Sequence, residues 1–87
     1  MDKQVKCVNT TGKSHEHITH LGGGPGSWAK MSLADVVRAI DAKTDTFYTS
    51  EGGKRAEVLV REVNGKKFVQ TKADGEWKNN LLSLPAC

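Results

Sequence analysis

Apolar positions recur at two different spacings along the chain, and the change from one to the other divides it into elements. Val5, Cys7 and Val8 mark a strand over Lys3–Asn9, and the turn-forming run Thr10–Ser14 leads into a second strand over His15–Leu21, its predicted hairpin partner. Period two puts His15, His17 and Thr19 on one face of that strand and Glu16, Ile18 and His20 on the other. Gly22–Ser27 is too rich in glycine for either regular structure. The spacing then becomes helical: Leu33, Val36, Val37 and Ile40 form one stripe. Ser32 is suited to cap the helix N-terminus with Asp35 three residues on, Met31 can pack on Val36, and the helix should end near Ala42–Lys43. Alternation returns in three strands, Thr46–Ser50, Arg55–Val63 and Lys66–Lys72, joined at Gly52-Gly53 and Asn64-Gly65.

Two-residue loops at both joints fix a register. Phe47 lies opposite Val58, Val60 opposite Val69 and Glu62 opposite Lys67. One face then collects Phe47, Thr49, Ala56, Val58, Val60, Val69 and Thr71, against which the helix stripe should pack. The other collects Tyr48, Arg55, Glu57, Leu59, Arg61, Lys66, Phe68, Gln70 and Lys72. The predicted fold is a small single-domain α+β protein over residues 1–87. It has an antiparallel sheet in the order β-β-α-β-β-β, one helix on one sheet face, and a C-terminal tail closing the core.

The tail, Thr71–Cys87, is the most patterned stretch. Asp74-Gly75 signals a turn, and Trp77, Asn79-Asn80, three leucines (Leu81, Leu82, Leu84) and Pro85 follow. Exposed leucines are costly, so the tail is expected to lay Trp77 and the leucines over Tyr48, Leu59 and Phe68. The pattern D-G-x-x-x-N-N-L-L-x-L-P-x-C, with H-I-T-H-L-G-G-G before it, Trp28, and a short helix holding Ala39-Ile40, resembles domain-of-unknown-function family 3892 from about Val5 to Cys87. The resemblance implies a compact single domain and a bacterial origin. It brings no activity, cofactor or partner, so no functional residue carries over from it.

Charge changes this picture little. The net charge of +3 falls as +2, −1 and +2 across Met1–Met31, Ser32–Glu62 and Val63–Cys87, with no basic run. Met1-Asp2-Lys3-Gln4 leads into a strand rather than an apolar leader, and no apolar run approaches the ~18 residues of a membrane span. A cytoplasmic location without membrane association is therefore expected, with Cys7 and Cys87 as reduced thiols rather than a disulfide.

Four constellations could carry chemistry. His15, His17 and His20, with Cys7 or Cys87, are zinc-ligand types, but His20 points away from the other two and no C-x-x-C pair exists. The expectation is no metal, His15, His17 and Cys7 being the candidates if one binds. Gly22, Gly24 and Gly26 suggest a phosphate loop, yet no G-K-[ST] runs into the helix, so a crossover anchored by Trp28 fits better. Neither cysteine has a placed base and no carboxylate pair shares a site, which predicts a non-enzymatic domain without a cofactor. The fourth is the second sheet face. Tyr48 and Phe68 interleave there with Arg55, Arg61 and Lys66, the composition of a nucleic-acid-binding sheet. The sequence thus predicts a binding or interaction module whose partner, protein or nucleic acid, it does not name. A nucleic-acid binder acting through that face and a histidine-centred metal binder are the alternatives.

Overall fold

Three tight turns organise the larger part of the molecule. A computed structural model describes residues 1–14, 17–24 and 26–87. Within it Gly52-Gly53, Asn64-Gly65 and Asp74-Gly75 each take positive φ at both positions, between 53° and 79°. That is the turn whose twist matches two antiparallel strands. These turns join β5 (Thr46–Glu51), β6 (Lys54–Val63), β7 (Lys66–Ala73) and β8 (Glu76–Lys78) into a meander. The pairs include Phe47 with Val58, Val60 with Val69, Glu62 with Lys67 and Lys72 with Trp77. At its far edge β1 (Asp2–Gln4) runs parallel to β5, completing a sheet in the order β1-β5-β6-β7-β8.

The domain is α+β, with one α-helix among the described residues and mostly antiparallel strands. The expected order of five strands in one sheet needs correction, because the strands among the described residues, eight in number, form two sheets. The predicted strand Lys3–Asn9 breaks at Val5-Lys6. Val5 donates its N–H to the Tyr48 carbonyl of the large sheet at 2.7 Å, and Lys6 donates to Gly22 at 2.9 Å. The chain therefore leaves one sheet and enters another, made of β2 (Cys7–Thr10), β3 (Ile18–Gly22) and β4 (Met31–Ser32). Strand β3 also departs from simple alternation. Its register slips between Asn9 and Thr10, which oppose His20 and Ile18, leaving Thr19 as an extra residue. This bulge lets Ile18 and Leu21, three positions apart, both point inward at 2% and 0% exposure.

Helix α1 (Leu33–Asp41) begins at Ser32, whose hydroxyl accepts from the Asp35 N–H at 3.3 Å. Beyond Ala42 the helix closes with the Lys43 N–H on the Ile40 carbonyl and the Thr44 N–H on that of Ala39, both at 3.1 Å. This is a Schellman ending with Lys43 at φ 59°, where glycine is the usual residue. Val36 and Ala39 are buried against Val5, Val8, Ile18, Leu21, Phe47, Val58 and Val69. The helix touches both sheets, so the core lies among helix, small sheet and one face of the large sheet.

The tail enters the same space. Leu81, on a 3-10 turn over Asn80–Ser83, is fully buried in the core, and Leu82 and Leu84 pack on its margin. The Asn80 amide donates to Thr49 Oγ1 at 3.4 Å on the helix side of the sheet. The expectation that the leucines cover Tyr48, Leu59 and Phe68 is thus reversed: they lie on the opposite side of the sheet. The Asp74-Gly75 turn determines this, since it makes Trp77 a strand residue and sends the following segment into the core.

Candidate binding face

The face of the large sheet turned away from the helix carries Tyr48, Arg55, Arg61 and Phe68, brought to one side by period two. Its register aligns Tyr48, Glu57, Lys72 and Trp77 in one row across β5 to β8, with Leu59 beside Gln70 and Arg61 beside Phe68 in the next rows. Two clusters of different electrostatic character result.

At one end the Arg55 guanidinium lies 4.1 Å from the centre of the Tyr48 ring. It donates to Glu57 at 2.6 Å and to both Asp2 carboxylate oxygens at 2.9 and 3.1 Å. Asp2 also accepts from the Thr46 hydroxyl at 2.6 Å. Arg55 and then Thr46 hold the Asp2 carboxyl below its ordinary value, while Glu57 and Asp2 raise the guanidinium further. With two carboxylates beside it, Arg55 has little charge left for an anion. It fixes β1 to the sheet instead.

At the other end the Arg61 guanidinium lies 4.5 Å from the centre of the Trp77 ring and 5.8 Å from that of Phe68, and Lys72 Nζ is 5.1 Å from Trp77. Gln70 orients the group: its side-chain oxygen accepts from Arg61 at 2.7 Å, and its amide nitrogen donates to the Lys78 carbonyl at 3.1 Å. Among the described residues Arg61, Lys66 and Lys72 pair with no carboxylate. Leu59 and Trp77 are 38% and 37% exposed, whereas Phe68 is only 5% exposed and is a packing residue. Lys66 sits exposed at the start of β7, outside the cluster. Trp77 and Gln70 are the members that the sequence pattern did not assign to a site. Asp74-Gly75 was the available signal, because a two-residue loop there sets Trp77 opposite Lys72. A guanidinium within 4.5 Å of an indole ring centre, and fixed there by Gln70, offers its remaining N–H donors to phosphate or carboxylate, beside an aromatic face that can stack on a base.

The metal candidates do not converge. His15 lies outside the described residues. The His17 ring is exposed, with Nδ1 3.2 Å from the Ser14 hydroxyl, and His20 Nδ1 lies 2.9 Å from the Thr19 hydroxyl. Among the described residues no three of His, Cys, Asp and Glu come together. Cys7 is bonded to Cys87 in a disulfide, which corrects the expectation of two reduced thiols. The reason is the tail's path. Val8 donates its N–H to the Pro85 carbonyl at 3.0 Å and accepts from the Cys87 N–H at 3.2 Å, which brings the two cysteine Cα atoms within 4.9 Å. The glycine run serves this packing rather than a phosphate. A Cβ on Gly22 would stand 2.7 and 2.8 Å from the two sulfurs, and one on Gly23 would stand 2.4 Å from the Trp28 ring. Trp28 is anchored by its indole N–H, which donates to the Gln4 carbonyl at 2.9 Å, and by its edge against Phe47.

A family model described as "Protein of unknown function (DUF3892)" matches residues 4–85. The chain belongs to the DUF3892 family. No curated protein and no solved structure matches it. In this DUF3892 chain the matched range takes in both clusters of the face apart from Asp2, together with the helix and the buried tail. Among the described residues no helix is long and apolar enough to cross a membrane.

Proposed function

We propose that this DUF3892 domain is a non-enzymatic bacterial binding module, and that the contact surface is the open face of the large sheet with single-stranded nucleic acid as the partner. One observation carries the reading: Arg61 and Lys72 flank the half-exposed Trp77 without a carboxylate partner, while helix and leucines occupy the other side of the sheet. Phosphates suit the free cations, and a base suits the half-exposed indole beside them. An acidic protein segment would use the charges but not the rings, which is why nucleic acid is preferred. Titration of the protein with a short oligonucleotide at moderate salt, followed by intrinsic fluorescence, tests this. Trp77→Ala is expected to weaken binding by about 1–3 kcal/mol, the range for one stacked base. Arg61→Ala is expected to weaken it and to reduce its salt dependence. Equal affinity in wild type and both variants would reject the face as the site.

A further inference from the structure

An open cleft of about 530 Å³ lies on the small-sheet side of the molecule, between the Trp28 ring and the Cys7–Cys87 disulfide, with Pro85 in its wall and Lys6 and Lys30 at its rim. Neither lysine pairs with a carboxylate among the described residues. We propose that this cleft is a thiol-exchange site, through which a dithiol reductant opens the Cys7–Cys87 bond and unlatches the end of the tail.

Three features converge. The disulfide borders an open cleft instead of being enclosed by the core, so an attacking sulfur can reach it. Exchange requires the attacker as a thiolate, and the two unpaired lysines favour the approach of an anion. Gly22 lies directly under both sulfurs, where any side chain would collide with them. The bridge therefore occupies space that the backbone leaves free for it.

In the reaction one thiolate of the dithiol attacks a sulfur of the bridge. The S–S bond breaks, and the other cysteine leaves as a thiolate and takes up a proton. The second thiol of the reductant loses its proton and displaces the first cysteine, closing the reductant's own disulfide. The domain thus gains two electrons and two protons, and the dithiol loses the same.

What reduction releases is limited. Leu81 remains anchored at 0% exposure, while Pro85 and Cys87 are then held to β2 by the two hydrogen bonds at Val8. The expected motion is a peeling of 85–87 from β2, leaving the core and Leu84 in place and baring the Val8 edge.

The test uses the intact protein and dithiothreitol as the dithiol, with bridge opening followed by alkylation and mass spectrometry and the tail by amide hydrogen exchange. The bridge is expected to open in native buffer, with the Val8 and Cys87 amides exchanging at least tenfold faster in the reduced form. The Leu21 and Val69 amides should keep their protection. Lys6→Gln combined with Lys30→Gln is expected to slow reduction several-fold at low salt, a difference that high salt removes. Cys87→Ser should reproduce the reduced exchange pattern without reductant. Reduction only under unfolding conditions, unchanged protection at Val8 and Cys87, or a rate indifferent to both lysines would each overturn the proposal.

Discussion

Truncating Leu81 to alanine tests whether the tail belongs to the core. Leu81 is 0% exposed and lies in one cluster with Val8, Ile18 and Leu21 of the small sheet, Val69 of the large one, and Val5 at the break between them. Removing three carbons from such a site loses their transfer free energy and leaves a void that strand backbones cannot readily fill. The expected loss is roughly 3–4 kcal/mol, within the range for buried Leu→Ala changes. Near 4–8 °C per kcal/mol for a domain of this size, the melting temperature should fall by about 12–30 °C. Leu84→Ala, at a half-buried position on the margin, should lose less than half as much. Thermal and urea melts of the oxidised proteins, followed by far-ultraviolet circular dichroism, measure both. The disulfide stays intact in each variant, so its contribution cancels. A loss below about 1 kcal/mol for Leu81→Ala, or equal losses at both positions, would refute the packing argument.

Other expectations follow from single contacts. Gly23→Ala places a methyl 2.4 Å from the Trp28 ring and should both destabilise the domain and shift its tryptophan emission, whereas Gly24, with nothing nearer than 3.6 Å, should show no such emission shift on substitution. Lys43→Gly relieves a left-handed residue at the helix end and should stabilise by about 0.5–1 kcal/mol, read as a raised urea midpoint at constant slope. The Asp2 carboxyl, held low by Arg55 and Thr46, should titrate below the ordinary aspartate value in an NMR pH series. Since its folded value is depressed, the stability it contributes is present above the ordinary aspartate range and is lost as pH falls through the folded value; Asp2→Asn should remove that dependence.

Strands β5 to β7 were legible because their turns are local, whereas the three-residue β8 was hidden in what read as the closing tail. Asn64-Gly65 and Gly52-Gly53 force two-residue loops, and loop length alone sets Phe47 opposite Val58 and Val60 opposite Val69. The helix was legible for the same reason, through Ser32, Asp35 and the stripe at Val36. What escaped depends on contacts distant in sequence. Strands β1 and β4 span three and two residues, too few to show a period. The break at Val5-Lys6 exists only because Tyr48 and Gly22 offer carbonyls in different sheets. The bulge at Thr19 hides the inward pairing of Ile18 and Leu21 from any strict alternation. At the site, Arg55 looked equivalent to Arg61 in sequence. The parallel pairing of β1 with β5 brings Asp2 to Arg55 and neutralises it, leaving Arg61, with Lys72, to supply the unpaired charge of that face among the described residues. For Cys7 and Cys87, 80 residues apart, the expected compartment argued for reduced thiols, and it is the long-range pairing of the tail at Val8 that brings them together.

A two-dimensional NMR titration with a single-stranded oligonucleotide reads directly which side of the large sheet meets a partner. The expected result is that perturbed backbone amides cluster on Leu59, Arg61, Gln70 and Lys72, that the Trp77 indole resonance moves with them, and that the shifts fade as salt rises. Shifts confined to the helix or to the Gly22–Trp28 loop, or no shifts at millimolar oligonucleotide in low salt, would contradict it.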